Sequence, residues 1–299
     1  MSQLASSRRP AVRRTARTRR RIGRLPLLPF IGAVLLAVMA VFIVVVPMLP
    51  GFDPLTQNLS MARLAPFTDA AHPLGTDSIG RDLLSRLAEG GRITMSITLA
   101  VVAINVVLGI ILGLCAGFFG GWIDNVIGLV SDANLAMPVV LLLIAISSVT
   151  GPSATLMIVV LGCTFWMGYA RVARAIAISL RGRDFVVAPQ ILGAGAAWTI
   201  RKHILPHVLP QMLILAVTDI GVVMLVQAGL DFLGLGVQPP SPTWGGMILE
   251  GQKMLRLSPW QAIIPGTAIF MLVVGTQFVS QLLTAESSTP LRKARRANV

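Results

Sequence analysis

Residues 27–49 read LLPFIGAVLLAVMAVFIVVVPML. A helix that crosses the hydrocarbon core needs ~20 mostly apolar residues, and this run is built almost wholly of Leu, Val, Ile and Ala. It sets the class of fold. A basic segment precedes it, as in a secretory leader, but the run is longer than a usual leader core. It ends Pro47-Met48-Leu49-Pro50 with no small-residue cleavage site, so a retained first span is expected. Working outward, apolar stretches recur at about 93–119, 122–149, 154–169, 208–232 and 260–283. Only Gly151-Pro152 separates the third span from the fourth. The expectation is an all-α membrane protein with six transmembrane helices.

Composition agrees. Of 299 residues, 55% are hydrophobic and 12% charged, and mean hydropathy is +0.78. The charged share is about half the ~25% of a soluble protein. This argues against a soluble two-domain enzyme, the prior from length alone, and against a disordered chain, which would lack the apolar residues. Cys115 and Cys163 both lie in apolar runs, which suits neither a disulfide framework nor a metal site.

The net charge of +13 is concentrated in three places. Nine Arg fall within the first 26 residues, six Lys or Arg within 171–207, and four beyond Pro290. Six spans put all three clusters on one side. The intervening loops 51–92 and 231–260 hold the remaining six of the 25 basic residues. The positive-inside rule then makes both termini cytoplasmic. Deleting any one span would split the clusters between the two sides, so the bias also supports the even count. The Arg-rich N-terminus reads as a topology anchor at an anionic lipid surface rather than a nucleic-acid arm, and no nucleic acid partner is expected. The resulting organisation is an Arg-rich cytoplasmic segment 1–26, a first helix 27–49, an extracytoplasmic loop 50–92 with an amphipathic helix, a core 93–285 with five helices, and a basic cytoplasmic tail 286–299.

Gly109, Gly113, Gly117 and Gly121 recur every fourth residue in and just beyond the second span. Such a stripe lets another backbone approach closely. In the fifth span, Gln227 lies about 80° and Asp231 about 120° round the helix from Asp219. Ionisable groups inside a span usually face a cavity or a partner, so this face either lines a path or pairs with a neighbouring subunit. Asp124 sits at a helix start. Asn134 and Met137 lie deeper, and Pro138 is expected to bend the third span. Residues 77–89 place Ile79, Leu83, Leu84 and Leu87 on one arc, which reads as an interfacial helix or as a structural cap on the first two spans.

Enzyme motifs are absent from the sequence. It has no G-x-x-x-x-G-K-[ST], no H-E-x-x-H and no G-x-S-x-G. His203 and His207 are four apart, but no third ligand is near and Pro206 is expected to break the helix between them. Any uphill transport must draw its energy from an ion gradient or from a partner.

The segment between the fourth and fifth spans is expected to begin at Tyr169. It contains Asp184-Phe185-Val186-Val187-Ala188-Pro189-Gln190-Ile191-Leu192-Gly193-Ala194, then Trp198 to Pro206. It reads as two short helices, one stopped near Gly193 and the other by Pro206. Phe185, Ile191, Leu192 and Ile200 would then be apolar side chains on a water-facing knob, which suggests a docking surface; a re-entrant or lipid-facing pair is the alternative.

This segment resembles the cytoplasmic coupling loop of ABC importer permeases, E-x-x-A-A-x-x-x-G with a downstream I-L-P. Asp184 stands next to the acidic start, Ala188 at the first Ala, Gly193 at the Gly, and Ile204-Leu205-Pro206 at the close. Pro189 replaces the second Ala, and Gln190 stands where Arg is common. Residues 72–87, HPLGTDSIGRDLLSRL, resemble the H-P-L-G-T-D-x-x-G-R-D-x-x-S-R signature of dipeptide and oligopeptide importer permeases and of their nickel-importing relatives. Residues 230–245 resemble L-S-F-L-G-L-G-x-x-P-P-x-P-x-W-G, with Asp231 for Ser and Gln227 where Glu is frequent. The end, Gln277 to Glu286, departs from the N-x-x-G-D-x-L-R-D of relatives. The resemblance spans about 25–285.

The resemblance implies a type I ABC importer permease fold, of the second-permease type, in a bacterial inner membrane. It implies a homologous permease, two ATP-binding subunits that carry ATP and Mg, an extracytoplasmic substrate-binding protein and a peptide substrate, with no cofactor bound by this chain. Asp184, Phe185, Ala188, Leu192, Gly193, Ala194, Ile200, His203, Ile204 and Leu205 would couple to the ATPase. Asn134, Met137, Asp219, Gln227 and Asp231 are candidates for the path. His72, Gly75, Asp77, Gly80, Arg81 and Asp82 form the extracytoplasmic motif. Nickel, an opine or another small peptide-like solute is the alternative cargo, and an ion-coupled carrier the alternative class.

Overall fold

A computed structural model describes residues 27–297, with side chains through Thr284. The Arg-rich segment 1–26 lies outside the described residues, as do the last two residues of the basic tail. Among the described residues the regular structure is helical; two isolated bridges, Asp69 with His72 and Thr76 with Asp82, tie down the loop after the first span. Among the described residues five helical stretches are long and apolar enough to cross a membrane, and a helix pair bent by 79° brings the number to six when it is counted as one span.

Helix α1 (Leu27–Val45) ends in a short 3-10 turn that begins at Val46-Pro47. Most of its apolar side chains face outward, as lipid contact requires. Helix α2 (Leu83–Phe119) runs 37 residues. At ~1.5 Å per residue it exceeds a ~30 Å hydrocarbon core, so one end projects beyond it. It starts ten residues before the expected second span, which corrects the reading of 77–89 as a separate amphipathic helix. Asp82 caps α2 by accepting from the Ser85 N–H at 2.7 Å. Residues 77–82 form a turn in which Asp77 Oδ1 accepts from the N–H groups of Ile79 and Arg81.

Helices α3 (Gly121–Ala136) and α4 (Val139–Thr150) meet at a 79° bend across Met137-Pro138, where the proline is expected to bend the third span. No residue of α3 is buried. Helix α5 (Ala154–Thr164) leads after a two-residue break into α6 (Met167–Arg181). The fourth span therefore continues twelve residues past Tyr169, and the loop beyond it is shorter than the sequence suggested.

The Gly stripe explains why α6 follows α2 so closely. A Cβ on Gly109 would lie 2.2 Å from Tyr169 Cβ, one on Gly113 would lie 2.4 Å from the Ala170 carbonyl oxygen, and one on Gly117 would lie 2.6 Å from that of Arg174. From the α6 side, Ala170, Ala173 and Ala177 are buried. Small residues on both helices thus bring the backbones into contact. Gly121 is not part of the seam: it opens α3 with φ +57° and nothing within 4 Å.

Beyond α6 come α7 (Asp184–Ile191), α8 (Ala196–Thr199), a π turn over Ile200–Ile204, and α9 (Leu205–Phe232). The last three form one continuous helical path, so Pro206 does not stop the second short helix and does not separate His203 from His207. In an ordinary α-helix the proline ring would clash with the carbonyl four residues back. Here the preceding turn is widened, with the Leu205 N–H reaching Ile200 O five residues back, and the ring is accommodated. Helices α10 (Trp244–Gln252) and α11 (Trp260–Ala297) complete the chain.

Among the described residues four apolar clusters hold these elements together, the smallest around Trp166, Met167 and Ala170. Trp244, Met224, Leu83 and Leu272 join α10, α9, α2 and α11. Val101, Leu143, Met157 and Leu161 join α2, α4 and α5, with Val223 from α9. Leu114, Tyr169, Val186, Ile204 and Met212 seat α7 and the π turn against α2, α6 and α9.

Candidate functional site

The knob at the α6/α9 end is built from the inside out. Val186 and Ile204 are fully buried and anchor it. Helix α7 closes with paired carbonyls: the Gly193 N–H donates to Gln190 O at 3.0 Å and the Ala194 N–H to Pro189 O at 2.9 Å. This closure needs a left-handed residue after the helix, and Gly193 supplies it at φ +94°. Pro189 sits inside α7 without ending it. Outward face Asp184, Phe185, Ala188, Ile191 and Leu192, the last two 79% and 87% exposed. His203 meets Trp198 edge-on, with ring centroids 5.2 Å apart, and the Phe185 and His207 ring centroids are 5.9 Å apart. Of the expected coupling residues, Ile204 belongs to the anchor, Ala194, Ile200, His203 and Leu205 are half-buried beneath the knob, and the rest present its surface. A bare apolar tip on an anchored, well-capped element can be docked and moved as a unit.

At the opposite end the motif 72–86 forms a brace. Arg81 Nε donates to Asp77 Oδ2 at 2.5 Å, and Arg86 Nε lies 3.5 Å from the same oxygen. Both guanidinium groups donate through Nη2 to Glu250 Oε2 at 2.8 Å. His72 Nδ1 lies 3.1 Å from Asp82 Oδ1. Gly80, at φ +81°, runs so close to Asn58 that a Cβ would meet its carbonyl oxygen at 1.8 Å, and Gly75 runs similarly close to Leu64. Asp77, Arg81 and Arg86 are buried. The motif thus carries the architecture of this end. Glu250, which completes it, carried no signal in the sequence because it lies 164 and 169 positions from its two arginines.

The polar face expected along the fifth span divides. Gln227 and Asp231 are buried inside the chain. Gln227 Oε1 accepts from Thr98 at 2.8 Å, and Asp231 Oδ1 accepts from the Val237 N–H at 3.3 Å. They join α9 to α2 and to the 234–245 segment. Asp219 instead opens onto a cleft of about 310 Å³ lined by Leu135, Phe165, Met167, Arg171 and Val222. The buried Tyr169 hydroxyl has Asp219 as its polar neighbour. Asn134 donates through Nδ2 to Cys163 O at 2.8 Å and so ties α3 to α5, while Met137 is exposed at the bend. Arg171, counted above only among the basic residues, shares a cleft with Asp219.

Residues 105–285 match the family described as binding-protein-dependent transport system inner membrane component. The nickel transport system permease protein NikC of Escherichia coli (strain K12) is 34% identical over 232 residues, covering 78% of this chain and 83% of that protein. The dipeptide transport system permease protein DppC of Alkalihalophilus pseudofirmus is 32% identical, covering 76% and 77%. A chain from inward-facing structures of the MetNI methionine ABC transporter superposes with a TM-score of 0.49 at 18% identity, covering 67% and 95%. The chain belongs to the family of binding-protein-dependent inner membrane components, the permease subunits of ABC importers. It is a transport subunit rather than an enzyme.

Proposed function

We propose that this chain forms half of the translocation path of an ATP-driven importer of dipeptides or oligopeptides. A homologous permease supplies the other half, two subunits carrying ATP and Mg drive the cycle, and an extracytoplasmic binding protein delivers the solute. Both termini and the knob face the cytoplasm, where the basic clusters of the sequence belong. ATP closes the ATPase dimer, the knob follows the ATPase groove, and the two permeases rock to open the path outward. The outer segments 72–90 and 231–250 meet the binding protein.

The observation that carries this reading is the apolar tip of α7 at Ile191-Leu192, anchored beneath by Val186 and Ile204. Leu192→Asp tests it. Uptake by the full complex should fall about tenfold or more, the effect of losing one central docking contact, with normal amounts of chain in the membrane. Unchanged uptake would remove the docking assignment. Nickel is the second cargo reading, favoured by the likeness to NikC. Binding of dipeptides against Ni²⁺ by the co-purified binding protein decides between them.

A further inference from the structure

Two clefts meet along α6. One of about 480 Å³ lies against α3 and is lined by Asp124, Asp132, Arg171 and Arg174; the other is the 310 Å³ cleft that holds Asp219. Arg171 lines both. The charges in them are not equivalent. Arg174 and Asp124 neutralise each other through two bonds of 2.6 Å. Among the described residues Arg171, three positions along the same helix, makes no hydrogen bond or ion pair. Asp219 lies in the same apolar cleft, yet the two do not close on each other. Ionisable groups in a membrane protein usually face a cavity or a partner; Arg171 is exposed in the cleft with its donors unused, and Asp219 has the Tyr169 hydroxyl beside it.

We propose that the cleft between α3, α6 and α9 is a transit site for a zwitterionic solute, with Arg171 receiving its carboxylate and Asp219 its ammonium group. This rests on the peptide reading above and deepens it. A planar guanidinium suits a carboxylate in a two-bond pairing, and Leu135, Phe165, Met167 and Val222 offer apolar walls to whatever lies between the two ends. A bare divalent cation gains Asp219 but is repelled by Arg171, so the site selects against it. Asp132 faces only the neighbouring cleft and adds negative charge there.

The test uses the assembled complex in lipid nanodiscs. Val222→Cys is introduced with Cys115→Ser and Cys163→Ser, and the cleft thiol is labelled with anionic and cationic methanethiosulfonates, with and without a non-hydrolysable ATP analogue. Arg171→Gln should slow the anionic reagent and Asp219→Asn the cationic one, each about tenfold, in at least one state. Arg171→Lys should keep the unsubstituted rates. A free dipeptide should protect the thiol at a concentration about tenfold lower than its C-terminal amide or Ni²⁺. Absence of labelling in both states, reagent rates unmoved by either charge substitution, or equal protection by free and amidated peptide would each overturn the proposal. The Leu192→Asp result is independent of it, so failure of the cleft and failure of the coupling assignment are told apart.

Discussion

Gly113 shows how much one missing methyl can decide. Its α-carbon faces the Ala170 carbonyl so closely that Gly113→Ala forces α2 and α6 apart. Overpacking of this kind costs about 1–3 kcal/mol, so thermal unfolding of the purified complex should shift downward. Gly266→Ala, in α11 with nothing within 4 Å, should leave the transition unchanged or raise it. Glu250 is the second such position. Glu250→Gln leaves Arg81 and Arg86 to share Asp77, and because Glu250 is partly exposed the expected loss is about 1–3 kcal/mol. A thermal shift in the same preparation measures it, and a gain in stability would mean the brace is not a net attraction.

At the scale of elements, the spans were legible because hydrophobicity over some twenty residues is a strong, local signal. The Pro138 bend was legible for the same reason: it depends on one residue and its own helix. What was less legible depends on the structure around each residue. Pro206 looks like a stop, yet the π turn over Ile200–Ile204 makes room for it. Residues 77–89 have the periodicity of a surface helix, but the Asp77 turn and the Asp82 cap start α2 only at Leu83. Gln227 and Asp231 share a face with Asp219 by arithmetic, but segment 234–245 folds over the end of α9 and buries Asp231, and Gln227 is covered by α2. The knob as a whole hangs on Ile204. Ile204→Ala removes a fully buried side chain, a loss of about 2–5 kcal/mol in well-packed interiors. Limited proteolysis between α6 and α8 should accelerate while the rest of the bundle resists cleavage; uniform resistance would mean that α7 is held by other contacts.

For the whole molecule, the expected orientation makes a simple prediction. In intact cells, a membrane-impermeant maleimide should label Ser60→Cys but not Leu192→Cys, and in inverted vesicles the pattern should reverse. Labelling of both from one side would remove the even number of crossings. The exposed length of α3, with no buried residue, also means that this chain does not cover its own polar clefts.

The brace has a consequence for how the protein is made. Arg81 and Arg86 leave the ribosome well before Glu250, and at ~5–20 residues per second the wait is roughly 10–30 s. During that interval two cations at the head of a long apolar helix have only Asp77 to share, so the brace closes only once α10 has been made. A nascent chain stalled before residue 250 would leave the two arginines with one carboxylate between them and the join of α2 to α10 unmade.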